Sequence, residues 1–323
     1  MVKELKLLAG SANKRLAKEV SSYLNIPLTP ITIKHFSDGE IYVKIEKSVR
    51  GADIFLIQST SPNANEHLME LLLTVDALKR ASANEVTAVI PYYGYSRQDR
   101  KATPREPISA KLVADLLTTA GVNRVITFDL HVDQIQGFFN IPVDNLEVTP
   151  LIAEYLLNKG LRDFVIISPD TGGVKRARRL AKLLEKPLAI IDKRRPKHGE
   201  ARVMHIIGEV KGKDVVIVDD IIDTAGTIIN ATKALKDEGA KDVYVYATHA
   251  LFSGPALERL KDSNIKEVII TNSIEHQKAM LPKIKIISIA SLLAECIRRI
   301  HKGKPLGVLF EGLSKKITKR VSK

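Results

Sequence analysis

The stretch DVVIVDDIIDTAGTII (214–229) decides the fold class of this chain. An apolar run leads to Asp219 and Asp220, and a short loop containing Gly226 then opens a helical pattern. A continuous apolar run predicts a strand covered on both faces of a parallel sheet, and the carboxyl ends of such strands are where α/β sheets bind ligands. The segment therefore predicts an α/β fold with a binding site at the end of this strand.

The same alternation of apolar, β-branched runs and helical patterns extends along the chain. Further strands are predicted at 53–58, 86–92, 124–130, 163–168, 188–192, 242–249, 267–272 and 283–289. Amphipathic helices are predicted at 67–81, 108–121 and 172–185, and Gly121 suits the left-handed position that ends the second of these. This order of elements favours parallel sheets flanked by helices, with right-handed crossovers.

Length and composition limit the classes of function. A chain of 323 residues can bury two cores, and a net charge of +13 suits polyphosphate substrates, nucleic acid or an anionic membrane. Aromatic residues are only 5% and Trp is absent, so stacking platforms for single strands are scarce, and we expect no nucleic-acid partner. No apolar run approaches the ~20 residues of a membrane span, and no secretory signal is seen, so we expect a cytoplasmic protein without membrane contact.

A single cysteine, Cys296, excludes an intrachain disulfide. It lies among apolar residues at helical spacing in SLLAECIRRI, which predicts a buried, unreactive thiol.

The loop after Asp220 has the composition of a phosphate-binding turn. Thr224, Ala225, Gly226 and Thr227 would present backbone N–H groups and two hydroxyls at a helix N-terminus. Two adjacent carboxylates repel a phosphate but accept hydrogen bonds from vicinal hydroxyls, so the segment predicts a phosphorylated sugar as ligand. The alternative is that the paired acids only cap the helix and bind solvent.

The segment DDIIDTAGT (219–227) resembles the phosphoribosyl diphosphate motif of the type I phosphoribosyltransferase superfamily. Five further stretches resemble ribose-phosphate diphosphokinases: FSDGEIYVKIEKSVRG (36–51), YSRQDRK (95–101), FDLHVDQIQGFF (128–139), SPDTGGVKRARRLA (168–181) and IIDKRRP (190–196). The resemblance implies two phosphoribosyltransferase-like domains, each a mostly parallel sheet flanked by helices. We expect residues 1–146 with 301–312 in the N-terminal domain, 147–300 in the C-terminal domain and 313–323 as a solvated basic tail.

The resemblance also implies an activity. Such enzymes transfer the diphosphate of ATP to ribose 5-phosphate, which gives 5-phosphoribosyl 1-diphosphate and AMP, with Mg²⁺ as cofactor and as homo-oligomers from dimer to hexamer. The alternatives are a phosphoribosyltransferase that consumes this product and a non-catalytic regulatory relative. The C-terminal KPLGVLFEG (304–312) lacks the serines of phosphate-activated relatives, so activation by phosphate and inhibition by ADP stay open.

Carried over position by position, the resemblance implies the following site residues. They are Lys193 and Arg195 for catalysis; Phe36, Asp38, Gly39, Glu40, Arg97, Gln98, Asp99 and Lys101 for ATP; Arg195, Asp219, Asp220, Asp223, Thr224, Ala225, Gly226 and Thr227 for ribose 5-phosphate; and His131 and Asp170 for the metal.

The residues alone leave simpler interpretations open for several of these positions. The residues alone favour a hairpin turn with surface acids at 36–40 and a structural histidine at His131. They leave open whether 97–101 is a solvated charge run and whether 193–203 is a flexible basic loop. Mg²⁺ prefers oxygen ligands, so the chemistry favours Asp170 as a ligand, whereas His131 rests on the resemblance.

Overall fold

The computed structural model describes residues 3–194, 203–276 and 280–321. The strands are β1 (Leu5–Ala9), β2 (Ile31–His35), β3 (Ile41–Ile45), β4 (Asp53–Ile57), β5 (Glu85–Ile90), β6 (Arg124–Phe128), β7 (Val143–Leu146), β8 (Phe164–Ser168), β9 (Leu188–Arg194), β10 (Val203–Ile207), β11 (Asp214–Ile222), β12 (Val243–Ala250), β13 (Ile265–Thr271) and β14 (Ile284–Ile287). The α-helices are α1 (Lys14–Leu24), α2 (Ala64–Arg80), α3 (Ser109–Ala120), α4 (Thr149–Asn158), α5 (Val174–Leu184), α6 (Gly226–Asp237), α7 (Ala256–Lys261), α8 (Ala290–His301) and α9 (Gly307–Val321).

The chain divides into two compact units. Unit 1 comprises Met1–Glu147, Asn272–Glu275 and Ser288–Leu306, and unit 2 comprises Val148–Thr271, His276–Ile287 and Gly307–Lys323. These units differ from the expected limits at the C-terminal end, because α8 packs on α1 within unit 1 and α9 packs on α4 and α5 within unit 2.

Unit 1 is built on a five-stranded sheet in the order β1-β4-β5-β6-β7, in which every pair of neighbours is parallel. Alternate residues of β4, Ile54 and Leu56, share a buried cluster with Leu71 and Val75 of α2. A separate antiparallel hairpin joins β2 to β3. The carboxyl ends of β4, β5 and β6 therefore lead into loops at one edge of this sheet.

Unit 2 is built on a seven-stranded sheet in the order β10-β9-β8-β11-β12-β13-β14. Only β10 runs antiparallel to its neighbour β9, and the other neighbours are parallel. The strand that contains Asp219 and Asp220, β11, lies between β8 and β12. The predicted fold class, two mostly parallel sheets flanked by helices, is confirmed.

All nine strands predicted from apolar runs are present, although their ends shift. The strand through Asp219 and Asp220 continues to Ile222, because Ile221 and Ile222 still pair with His249 and Ala250 of β12. The expectation that this strand ends at the aspartates was wrong. Gly121 takes φ +105 after α3, as expected from its position. The short strand β7 was not predicted, because VDNL contains Asp and Asn, which are uncommon in strands.

The basic C-terminal segment is a helix and not a solvated tail. Residues 313–321 belong to α9, where Ile317 keeps only 2% of its surface exposed. Lys316 contacts Glu154 of α4 at 3.0 Å, and Arg320 donates to Asn158 at 2.7 Å. The prediction failed because charge content was weighed above the apolar spacing of Leu313, Ile317 and Val321.

Cys296 is fully buried in α8, and burial raises the pKa of its thiol to about 12. The expectation of a buried, unreactive thiol is therefore confirmed. Within the described ranges, none of the helices combines the length and the apolar character needed to cross a bilayer.

Candidate functional site

Two adjacent carboxylates on β11 form the most buried acidic pair that the sequence singled out. Asp220 is 3% exposed, and the side chain of Asp219 is 18% exposed, so both carboxylates are largely shielded from solvent. The Arg176 guanidinium of α5 lies 3.1 Å from Asp220 and 3.6 Å from Asp219, measured from Nη1 to each Oδ1. Arg176 thus offsets the repulsion between the carboxylates and keeps them beside each other.

Opposing effects act on the pKa of Asp219. Burial raises the pKa of Asp219 well above its ordinary value, and the charge of Asp220 raises it further. Arg176 and the backbone N–H of Asp220, which donates to Asp219 Oδ1 at 2.9 Å, act in the opposite direction. Hydroxyl groups that donate hydrogen bonds to this carboxylate would therefore stabilise its ionised form.

The loop that follows β11 ends in a helix N-terminus. Asp223 and Thr224 lead to Ala225, which takes the left-handed conformation with φ 63, and α6 begins at Gly226. Three backbone N–H groups from the segment after β12 hold the start of the loop: those of Leu251 and Phe252 donate to Ile222 O, and that of Ser253 donates to Asp223 O at 3.0 Å. The sequence-predicted residues 223–227 thus stand together at the amino end of α6, where unpaired N–H groups favour an anion.

Asp170 lies in the turn between β8 and α5. Its Oδ1 accepts from the backbone N–H of Gly173 at 2.9 Å, and Ser168 Oγ donates to its backbone carbonyl at 2.7 Å. A Cβ added at Gly173 would approach Ser168 Oγ to 3.1 Å, so a small residue is favoured there. These contacts fix the turn and place Asp170 at the carboxyl end of β8, which is the neighbour of β11.

The polar run 97–101 lies in unit 1, several residues after β5. That strand ends at Ile90 and not at residue 92 as predicted, and the largely buried segment PYYGYS (91–96) separates it from the polar run. Gly94 lies so close to the loop after β4 that a Cβ there would stand 2.7 Å from Thr60 O. Its N–H donates to Thr60 Oγ1 at 2.6 Å. The loop after β4 and the loop after β5 are therefore joined by a hydrogen bond and by close packing at Gly94, a few residues before the polar run.

Gln98 connects this polar run to the start of α3. Its Oε1 accepts from Ser109 Oγ at 2.6 Å, and its backbone carbonyl accepts from Ala110 N at 3.2 Å. Arg97 and Lys101 are exposed, and Asp99 is half-buried. The run is thus a turn held by Gln98 whose cationic side chains, Arg97 and Lys101, are exposed to solvent. This arrangement is compatible with a nucleotide-binding turn and also with a solvated charge run.

Residues 36–40 form the tip of the β2–β3 hairpin. Phe36 N donates to Glu40 O at 2.8 Å, and Gly39 takes φ +95, a conformation that favours glycine. The ring of Phe36 is 55% exposed and packs edge-on against Tyr42, with the ring centroids 5.9 Å apart. Asp38 and Glu40 are exposed on the same tip. A hairpin turn with surface acids is present, and its exposed aromatic ring offers a flat apolar face.

His131 follows β6, which ends at Phe128 and not at residue 130 as expected. The turn is tight: Asp129 takes φ 36, its N–H donates to Leu146 O, and Leu130 N donates to Asn145 Oδ1 at 3.1 Å. The half-buried His131 is thereby placed at the carboxyl end of a central strand of unit 1.

Of the two residues expected to be catalytic, the structure describes only the backbone of Lys193 and does not describe Arg195. Lys193 belongs to β9, where it is opposite Met204 of β10, and Arg195 lies outside the described residues. Across residues 3–194, 203–276 and 280–321, no group of three or more His, Cys, Asp or Glu side chains is arranged to hold a metal ion.

Two contacts at this site escaped the sequence reasoning. Arg176 lies in the stretch 168–181 that carries the resemblance but was given no role of its own, yet it pairs with both aspartates. Arg259 of α7 donates from Nη1 to Thr224 O at 3.0 Å and was not singled out. No local pattern marks either residue, because each meets its partner through strand order and not through sequence spacing.

Comparison with known proteins gives a consistent result over the length of the chain. Residues 5–121 match the family described as the N-terminal domain of ribose phosphate pyrophosphokinase, and residues 195–311 match the phosphoribosyl synthetase-associated domain. Ribose-phosphate pyrophosphokinases are 56% identical over 308 residues in Caldanaerobacter subterraneus and 53% identical over 309 residues in Bacillus subtilis. Each alignment covers 95% of this chain and 98% of the relative.

A solved structure gives the same result at the level of the fold. The crystal structure of phosphoribosylpyrophosphate synthetase from Mycobacterium smegmatis matches with a TM-score of 0.89 and 44% identity. The match covers 93% of this chain and all of the other.

Proposed function

This chain belongs to the ribose-phosphate pyrophosphokinase family. On this basis we propose which residues bind each substrate and which act in catalysis. The chain transfers a diphosphate group from ATP to ribose 5-phosphate and so makes 5-phosphoribosyl 1-diphosphate. A transferase that consumes this product is not favoured. One observation carries the assignment of the sugar site: two paired carboxylates on β11 are followed within six residues by the amino end of α6.

The sugar phosphate is bound at the end of β11. Asp219 and Asp220 accept hydrogen bonds from the vicinal hydroxyls of the ribose, and Arg176 keeps both carboxylates in place from the other side. The 5-phosphate is bound by the N–H groups of residues 224–227 and by the hydroxyls of Thr224 and Thr227, which are exposed. With both ends of the sugar held, the anomeric hydroxyl has a fixed direction.

The nucleotide is bound by unit 1. Phe36 stacks on the adenine through its exposed face, while Asp38 and Glu40 accept from the exocyclic amine and Gly39 makes the turn that presents them. Arg97, Gln98, Asp99 and Lys101 contact the phosphate and ribose groups of ATP. The exposed hairpin tip is suited to a nucleotide site completed by a second copy of the chain, which supports a homo-oligomer between dimer and hexamer.

Mg²⁺ suits the acidic turn of unit 2. Mg²⁺ usually takes one or two carboxylates together with substrate phosphates and water, so a single well-placed carboxylate is sufficient on the protein side. Asp170 fits this role, because its carboxylate stands at the carboxyl end of β8 in a turn that the Gly173 N–H fixes, and carboxylate oxygens are ligands that Mg²⁺ prefers. His131 is the second candidate ligand. When bound, the ion neutralises charge on the phosphate oxygens.

The reaction proceeds by direct displacement. The anomeric hydroxyl attacks the β-phosphorus in line, the bond from that phosphorus to the α-phosphate oxygen breaks, and AMP leaves while the hydroxyl proton is lost to solvent. No covalent intermediate on the protein is required, so positioning and charge neutralisation supply most of the acceleration. Lys193 and Arg195 neutralise the charge that develops on the transferring group.

The assignment is tested by AMP release from ATP with and without ribose 5-phosphate. We expect AMP only when the sugar phosphate is present, and a rise in its KM when Thr227→Val removes a loop hydroxyl. The Lys193→Ala variant should bind ATP normally but lose about 10³-fold or more in kcat. Near-normal turnover in that variant would remove Lys193 from catalysis, and an unchanged KM in Thr227→Val would remove the loop from phosphate binding.

A further inference from the structure

The loop between β11 and α6 is held unevenly. The last residue of β11 and the first residue of the loop are tied to the segment after β12, since Ile222 O and Asp223 O accept from the backbone N–H groups of residues 251–253. The next residue, Thr224, has an exposed side chain, and its carbonyl is held by a side chain instead: Arg259 Nη1 donates to Thr224 O at 3.0 Å. The part of the loop assigned to the 5-phosphate therefore depends on one guanidinium.

The residue after this contact, Ala225, has an unfavourable backbone conformation that the contact can stabilise. Ala225 takes φ 63 and ψ −1, a left-handed conformation that costs a residue with a Cβ on the order of 1 kcal/mol. This turn directly precedes Gly226 and Thr227, the first residues of α6. By fixing the carbonyl just before Ala225, Arg259 favours the turn over the extended alternatives that alanine prefers.

Arg259 also brings charge to the amino end of α6. A Cβ built at Gly226 would lie 3.5 Å from Arg259 Nη1, so the guanidinium rests beside the first residue of the helix. Arg259 is exposed, and within the described part of the chain it takes part in no ion pair. Since no carboxylate of the described residues neutralises its charge, the guanidinium adds to the field that the helix end already presents to an anion.

A guanidinium suits this double role better than an ammonium group. It presents five N–H donors in a fixed fork, so one donor holds Thr224 O while the others stay available on the loop side. A lysine at the same place would keep the charge but would hold the carbonyl through a more flexible stem.

We propose that Arg259 is a positioning residue for the 5-phosphate of the sugar substrate, which it serves by holding Thr224 O and by placing its charge beside Gly226. This inference rests on the proposed assignment of residues 223–227 to that phosphate. It predicts a defect confined to one substrate, because Arg259 touches the loop of unit 2 and none of the residues assigned to ATP.

The test compares Arg259→Ala, Arg259→Lys and the control Lys261→Ala, which removes an equal charge from an exposed position on the same short helix. AMP release gives kcat and the KM for each substrate, and thermal unfolding checks the fold. We expect Arg259→Ala to raise the KM for ribose 5-phosphate about tenfold, with kcat within about twofold and the KM for ATP unchanged. Arg259→Lys should recover part of the loss, and Lys261→Ala should match the parent.

Two results would overturn the inference. One is a KM for ribose 5-phosphate that is unchanged in Arg259→Ala, and the other is a parallel change in both KM values with a lowered Tm, which indicates a structural role alone. The Thr227→Val variant separates this inference from its premise. If Thr227→Val raises the KM for the sugar phosphate and Arg259→Ala does not, only the role of Arg259 fails; if Thr227→Val has no effect, the loop assignment itself fails.

Discussion

The Arg176 guanidinium on α5 lies 3.1 Å from the carboxylate of Asp220 on β11, and the same nitrogen lies 3.6 Å from Asp219. One cation therefore faces two adjacent anions at the end of the central strand of unit 2. The side chains involved are 17% exposed for Arg176 and 5% for Asp220, so water screens their interaction only weakly. This contact explains how a pair of like charges persists in an apolar strand.

Replacement of Arg176 by methionine should destabilise the protein. The change roughly keeps the length of the side chain but removes the guanidinium that faces two partly buried carboxylates, and we expect a loss of about 2–4 kcal/mol in the free energy of unfolding. Denaturation in urea measures this loss. Arg178→Met removes the same charge from an exposed position on α5 and should cost little. Equal losses in the two variants would contradict the role given to Arg176.

Asp219 should make stability depend on pH. Because its folded-state pKa is raised, the folded chain binds more protons than the unfolded chain at pH values between the ordinary pKa of 3.8 and the raised one. The free energy of unfolding should therefore fall as pH rises through that window. Asp219→Asn should remove this fall and stabilise the protein at neutral pH, while it raises the KM for ribose 5-phosphate.

Urea denaturation at a series of pH values checks the Asp219 prediction. Asp262→Asn, at an exposed position after α7, serves as the control and should keep the pH dependence of the parent. If the Asp219→Asn profile follows the parent profile through the window, Asp219 is not the group responsible.

Gly94→Ala should loosen the turn that we propose binds the nucleotide. The added Cβ would stand 2.7 Å from Thr60 O, a backbone atom that cannot move without its strand-end loop, so we expect a loss of about 1–3 kcal/mol in stability. Displacement of the segment that leads to Arg97 and Gln98 should also raise the KM for ATP more than that for the sugar phosphate. Gly137→Ala is the matched control, since a Cβ there meets nothing within 4 Å. Comparable KM values for ATP in the two variants would refute the prediction.

Ile317→Ala should destabilise unit 2, because Ile317 of α9 is 2% exposed and its removal leaves a cavity. The expected cost is about 2–5 kcal/mol, measured by thermal or urea unfolding. Val308→Ala, on the same helix but at a position 56% exposed, should cost far less. A small effect of Ile317→Ala would mean that α9 does not pack in solution, and that the segment behaves as the solvated tail expected from its charge.

The sequence by itself determined the parts that depend on neighbours along the chain. Apolar runs marked the strands, Gly121 marked the end of α3, and the order of aspartates, small residues and threonines from Asp219 to Thr227 marked a strand-to-helix loop that we propose binds a sugar phosphate. These features follow from side-chain period, backbone preference and the N–H groups of a helix end, all of which act over a few residues.

Only the tertiary structure decided which distant groups meet. Arg176 reaches Asp219 and Asp220 because β8, which leads into α5, lies next to β11, and Arg259 reaches Thr224 because β12 borders β11 on the other side. The packing of α9 on α4 and α5 likewise placed the basic C-terminal segment in a helix that buries Ile317. Such contacts arise from the order of strands in the sheet, which is set by the burial of the whole core and leaves no mark in the local spacing of residues.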